Sequence, residues 1–145
     1  EAYPHFGYLK LEEPLMAPKV AEILQATGGQ VQVLEGWGGM YLIEGISAGV
    51  CGAMPGLGVA DVLQQVYDSA KEGAMDRAMD RFERVLPHIV FSLQNLELFL
   101  YMEKLLLQRR GLLSHATVRS ATLTPDAKTA KHVELLTERV LRAVS

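Results

Sequence analysis

Lys10 is the residue in this sequence with the most chemistry within reach. It stands in Tyr8-Leu9-Lys10-Leu11-Glu12-Glu13-Pro14, a short β-type run that ends in a hard stop. Successive strand side chains point to opposite faces, so Leu9 and Leu11 share one face while Tyr8, Lys10 and Glu12 share the other. With helices covering the leucines, the lysine's face belongs either to an edge strand in water or to the interior of a barrel. An amine held in a partly dry enclosure gives up its proton more easily, because burial disfavours the charged form. A neutral lysine amine is a nucleophile able to form a Schiff base with a carbonyl substrate. The plainer alternative is a charged side chain at a strand end reaching back to water, and lysine is seldom buried.

Other residue types offer less. Gly36-Trp37-Gly38-Gly39 lies between a strand and a helix, where backbone N–H groups can hold an anion. Its spacing is that of neither the dinucleotide fingerprint nor the P-loop, so tight turn chemistry or close substrate approach fits better. Gly56-Leu57-Gly58 is weaker, but both loops follow strands, where parallel α/β proteins keep their ligands. A carboxylate paired with Lys10 would hold it charged, whereas an imine-forming lysine must spend time neutral. Glu12 is therefore expected to orient water or substrate. His5, His88, His115 and His132 have no metal-ligand spacing and read as surface or cap residues. Cys51 reads as a small core residue, and Met75, Met79 and Phe82 as packing. No Ser/His/Asp or Cys/His constellation is present.

The chain has 145 residues, 49% of them hydrophobic, and a formal net charge of −3. That is one domain's worth of material, able to bury a core of its own. A mildly acidic, unclustered balance argues against a nucleic-acid partner. A single cysteine excludes an internal disulfide framework and fits a reducing, cytoplasmic setting. No apolar run approaches the ~18 residues of a membrane span, and the start lacks a signal-peptide pattern. The chain opens at Glu1 and runs within a few residues into the lysine strand, which leads to the expectation that something upstream is missing.

The elements that must position these residues alternate. After the lysine strand, Pro14 and Pro18 bracket a turn, and Val20, Ile23 and Leu24 mark a helix closed by Gly28-Gly29. Val31-Gln32-Val33-Leu34 is a second strand, residues 40–48 a helix with Tyr41, Leu42 and Ile46 inward, and residues 50–54 a third strand. This alternation implies a parallel sheet, and three strands alone would leave two bare edges. The remainder is helical, over residues 59–72, from residue 74 onward with Pro87 kinking or ending the helix, over 96–110, and over 127–144.

The combination of a lysine strand, a glycine-rich loop after the next strand and a third strand Val50-Cys51-Gly52-Ala53-Met54 resembles the dihydrodipicolinate synthase / N-acetylneuraminate lyase superfamily, specifically its C-terminal half. The resemblance covers nearly the whole chain and about half of a family member. It implies an α/β fold, the last three strands (six to eight) of a (β/α)8 barrel over residues 1–73, followed by a C-terminal helical extension over 74–145. Lys10 would be the imine-forming lysine on strand six, Gly36 the glycine after strand seven, and Met54 the bulky apolar residue on strand eight. Gln108-Arg109-Arg110-Gly111-Leu112-Leu113 also resembles the family's C-terminal extension. Trp37 and Gly38 stand where the family usually has an acidic pair, and no asparagine follows strand eight. The stretches Glu35-Gly36-Trp37-Gly38-Gly39-Met40-Tyr41-Leu42 and Gly52-Ala53-Met54-Pro55-Gly56 look more like the branch that dehydrates 2-keto-3-deoxy sugar acids. Pro55 departs from that branch's frequent hydroxyl residue.

What the resemblance implies is a lyase acting on a 2-keto acid through Lys10, with Glu12, Gly36, Trp37 and Met54 against the substrate. It calls for no cofactor and no metal, a homotetramer, and neither nucleic acid nor membrane as partner. The family's tyrosine proton shuttle and carboxylate-binding loop lie in the barrel's first half, and neither Tyr8 nor Tyr41 matches that tyrosine. Turnover is thus expected only with a complete barrel. The alternative is a non-catalytic half-barrel that serves as a binding or assembly module. A cofactor-binding α/β domain would rest on the glycine loop alone.

Overall fold

The computed structural model describes residues 5–119 and 123–144. Strand β1 (Tyr8–Leu11) is followed by helix α1 (Met16–Ala26), strand β2 (Gln32–Glu35), helix α2 (Leu42–Ala48) and the short strand β3 (Gly52–Ala53). A 3₁₀ turn, Leu57–Val59, leads into four helices, α3 (Ala60–Lys71), α4 (Met75–Ser92), α5 (Leu96–Arg109) and α6 (Ala127–Val144). The strands form one parallel sheet in the order β1-β2-β3. Parallel neighbours need a crossover, and α1 and α2 supply it.

Register explains which residues face the helices. Leu9 pairs with Val33 and Leu11 with Glu35, while Lys10 pairs with Leu34, which in turn pairs with Gly52. The first set packs under α1 and α2, where Leu11, Met16, Val20, Val33 and Val50 are buried together. Lys10 and Leu34 therefore lie on the opposite face, as strand alternation requires. Among the described residues β1 and β3 each have one paired edge and one open edge.

The larger apolar cluster joins α2, α3, α4, α5 and α6 through Leu42, Val62, Val66, Phe82, Leu106 and Val140. Helix α4 runs unbroken through Pro87, so the helix does not end at that proline. Phe82 and Val85 before Pro87 and Ile89 after it are all buried in this cluster. Packing on both sides outweighs the one intrahelical bond that proline forgoes. The buried stripe of α4 is Ala78, Phe82, Val85, His88, Ile89 and Ser92, and Met75 and Met79, expected to pack, stay more than a third exposed.

Other boundaries shift modestly. The second strand ends at Glu35 and not at Leu34, the third contracts to two residues, and α2 starts at Leu42 because residues 37–41 form turns. The connection expected over residues 114–125 contains residues 120–122, which lie outside the described residues. Cys51, expected in the core, is only half-buried. Among the described residues no helix is long and apolar enough to cross a membrane, and no group of His, Cys, Asp or Glu is arranged to hold a metal ion.

Candidate active site

A cavity of about 410 Å³ opens at the C-terminal ends of the three strands. Lys10 and Glu12 border it from the end of β1, Gly36, Trp37 and Gly38 from the turn after β2, and Met54, Pro55 and Gly56 from the segment after β3. All five residues singled out in the sequence, Lys10, Glu12, Gly36, Trp37 and Met54, thus meet at one site. This is where ligands sit in parallel α/β proteins, because loops there are free to vary on a fixed sheet.

Lys10 is not enclosed within this chain. Its side chain is 42% exposed, and its Nζ lies 3.2 Å from Glu12 Oε2. The expectation that Glu12 leaves the lysine unpaired is therefore corrected. Glu12 follows β1 directly, two residues after Lys10, and the two side chains meet at the strand's end.

The lysine stem is laid across Gly36. A Cβ at position 36 would come within 2.7 Å of Lys10 Cγ and 2.8 Å of the Leu11 carbonyl oxygen. The Gly36 N–H also donates to that carbonyl, at 2.8 Å. Glycine is needed there so that the lysine can run along the neighbouring strand towards the cavity.

Glu35, read in the sequence only as a strand end, organises the next turn. It falls on the helix-covered face and is fully buried. Its carboxylate accepts the backbone N–H of Gly39 at 2.7 Å, of Trp37 at 3.0 Å and of Tyr41 at 3.5 Å. Burial pushes its pKa up, while the three N–H bonds pull it down. Helix α2 has no side-chain cap of its own, and this carboxylate stands at its positive end. The turn carrying Trp37 is held from below, and Trp37 meets Tyr41 edge-on with ring centres 5.9 Å apart.

No family model matches the chain. An L-2-keto-3-deoxyarabonate dehydratase of Azospirillum brasilense is 28% identical over 125 residues, which covers 84% of this chain and 40% of the dehydratase. The crystal structure of dihydrodipicolinate synthase from Rhodopseudomonas palustris superposes with a TM-score of 0.80 and 29% identity over 91% of this chain. In sequence and fold the chain is thus similar to part of the dihydrodipicolinate synthase / N-acetylneuraminate lyase superfamily. A dihydrodipicolinate synthase from Oceanobacillus iheyensis, 18% identical, shares the fold over 94% of the chain with a TM-score of 0.73. The chain spans 40% of the dehydratase and 45% of either synthase.

One side of the cavity is closed by residues the sequence did not single out. Leu93, Asn95, Leu96 and Phe99, from the α4–α5 connection and the start of α5, line the wall opposite the strands. Asn95 Oδ1 caps α5 by accepting the N–H of Glu97 at 2.8 Å and of Leu98 at 3.2 Å. An asparagine directly before Leu96 is a readable start signal, although nothing in its local pattern says that the helix turns back to the strand ends.

His88 is the clearest departure among the histidines. Expected at the surface, it is 4% exposed, and its Nδ1 has no hydrogen-bond partner. Burial lowers its pKa to about 4, which keeps the imidazole neutral near pH 7.

Proposed function

We propose that this chain is the C-terminal half of a (β/α)8-barrel lyase, with β1, β2 and β3 as strands six to eight. Residues 1–73 form the barrel units and residues 74–145 the helical extension. The observation that carries this reading is the convergence of Lys10, Glu12, Gly36, Trp37 and Met54 on one cavity at the strand ends. The open edges of β1 and β3 support it as well, since a barrel pairs both. In the complete protein Lys10 is the imine-forming residue.

The Lys10 amine adds to the C2 carbonyl of a 2-keto acid, and loss of water leaves a protonated imine. Glu12, beside the amine, is placed to take the ammonium proton and to return one to the departing water. The imine then draws electrons from C3. Loss of the C3 proton and of a hydroxyl from C4 is dehydration, and breakage of the C3–C4 bond is aldol cleavage. The dehydratase relative and the motifs around Gly36 and Met54 favour dehydration of a 2-keto-3-deoxy sugar acid. Trp37, Gly36 and Met54 contact the substrate. The mechanism uses no cofactor, and a cytoplasmic homotetramer completes the reading.

The exposure of Lys10 and its ion pair with Glu12 favour a second reading, a non-catalytic half-barrel acting as a binding or assembly module. Turnover assays separate the two. With the complete protein and a panel of 2-keto-3-deoxy sugar acids, the lyase reading predicts loss of the keto acid that Lys10→Ala abolishes. Undiminished turnover in Lys10→Ala would end it.

A further inference from the structure

We propose that Glu103 of α5 and Arg110 at its C-cap are positioning residues that fix one wall of the Lys10 cavity by clamping the backbone of residues 55–59. The clamp stands on geometry alone, and its consequence for substrate rests on the imine reading above. Met54, Pro55 and Gly56 border the cavity, and the chain then passes directly over α5. There Glu103 Oε1 accepts the Gly58 N–H at 2.5 Å.

Arg110, the C-cap of α5, lies seven residues after Glu103, two turns on and on the same face. Its Nη1 donates to the Gly58 carbonyl at 2.6 Å. The same guanidinium holds Asp61, in the first turn of α3, with bonds of 2.9 and 2.6 Å. One helix thus grips both polar groups of a single peptide residue, the N–H with a carboxylate and the C=O with a guanidinium. Both bonds are charge-assisted and so stronger than an ordinary backbone pair. Gly56 shows how closely the loop lies on the clamp, because a Cβ there would fall 2.6 Å from Glu103 Oε2. Burial pushes the Glu103 pKa up, and the Gly58 N–H and the Arg110 charge oppose that rise.

Neither side chain borders the cavity itself, so both act through the loop. A released loop moves Met54, Pro55 and Gly56 relative to a fixed Lys10. Substrate fit suffers, while the reactivity of the bound carbonyl towards the amine does not.

Two readouts on the complete protein test this, hydrogen–deuterium exchange of residues 55–59 and borohydride trapping against pyruvate concentration. Glu103→Ala is expected to speed exchange of residues 55–59 by about tenfold or more, leaving residues 36–41 within about twofold. Glu103→Gln keeps an acceptor oxygen and restores most of the protection. Half-saturating pyruvate rises about tenfold in Glu103→Ala, while the trapping rate at saturation stays within about twofold. Should Glu103→Ala not fold, Arg110→Ala frees the Gly58 carbonyl instead and gives the same pair of shifts.

Unchanged exchange at residues 55–59 in a folded variant overturns the clamp. Released exchange with unchanged half-saturation overturns its role in the cavity wall. A wild-type protein that traps no pyruvate sinks the imine reading instead, and the exchange measurement still decides the clamp.

Discussion

Lys10 is reached by its neighbours more than by its burial, and substitutions around it separate chemistry from stability. Its side chain is 42% exposed, so Lys10→Ala is expected to change the unfolding free energy by less than about 1 kcal/mol while turnover disappears. Gly36→Ala leaves the amine in place chemically but forces its stem off the strand, by the 2.7 Å approach of the new Cβ to Lys10 Cγ. A displacement of about 1 Å at a reacting group costs on the order of 10²-fold in rate, so imine trapping in Gly36→Ala should slow by about that factor. His88 carries a pH signature. Its folded pKa of about 4 lies below the ordinary 6.5, so the unfolded chain binds more protons between those values and stability falls as pH falls through that window. The full loss is about 3 kcal/mol, complete only below the folded pKa. Glu35 and Glu103, whose pKa values are raised by burial, work in the opposite sense, since the folded state holds their protons to higher pH. Urea unfolding of wild type and His88→Gln at pH 7 and pH 4.5 isolates the histidine, and the variant should lose most of the difference that His88 contributes.

At the scale of elements, what was legible was what repeats. The alternation around Leu9 and Leu11, the helical stripes after Pro18 and Ala127, and the glycine stops placed the βα units and the outer helices within a few residues. Pro87 does not end its helix, because a local breaker says nothing about the core that holds Phe82 and Ile89 on either side of it. Glu35 and Glu103 were missed for a related reason. A buried carboxylate looks like any surface glutamate until the backbone N–H groups around it are in place. The turn after β2 should therefore depend on Glu35 more than on its glycines. Glu35→Gln turns one acceptor into a donor facing backbone N–H groups, and should cost about 1–3 kcal/mol in urea unfolding. Asn95→Ala should cost about 0.5–2 kcal/mol through the lost cap of α5, with faster exchange confined to the α4–α5 connection. That connection also forms the cavity's far wall, so the two changes loosen opposite sides of one site.

Across the whole molecule, the parallel sheet, the strand-end cavity and the helical layer behind it agree with the likeness to dihydrodipicolinate synthase. Two open strand edges and an exposed Lys10 are what half of a closed barrel presents. The central claim is that Lys10 forms an imine with a 2-keto acid. Its most direct test is the intact mass of the complete protein before and after pyruvate with borohydride, with the modified peptide mapped. The account predicts one reduced pyruvate adduct per chain, on Lys10, and none in Lys10→Ala. A complete protein that gains no adduct, or gains it at another lysine with Lys10 unmodified, would contradict it.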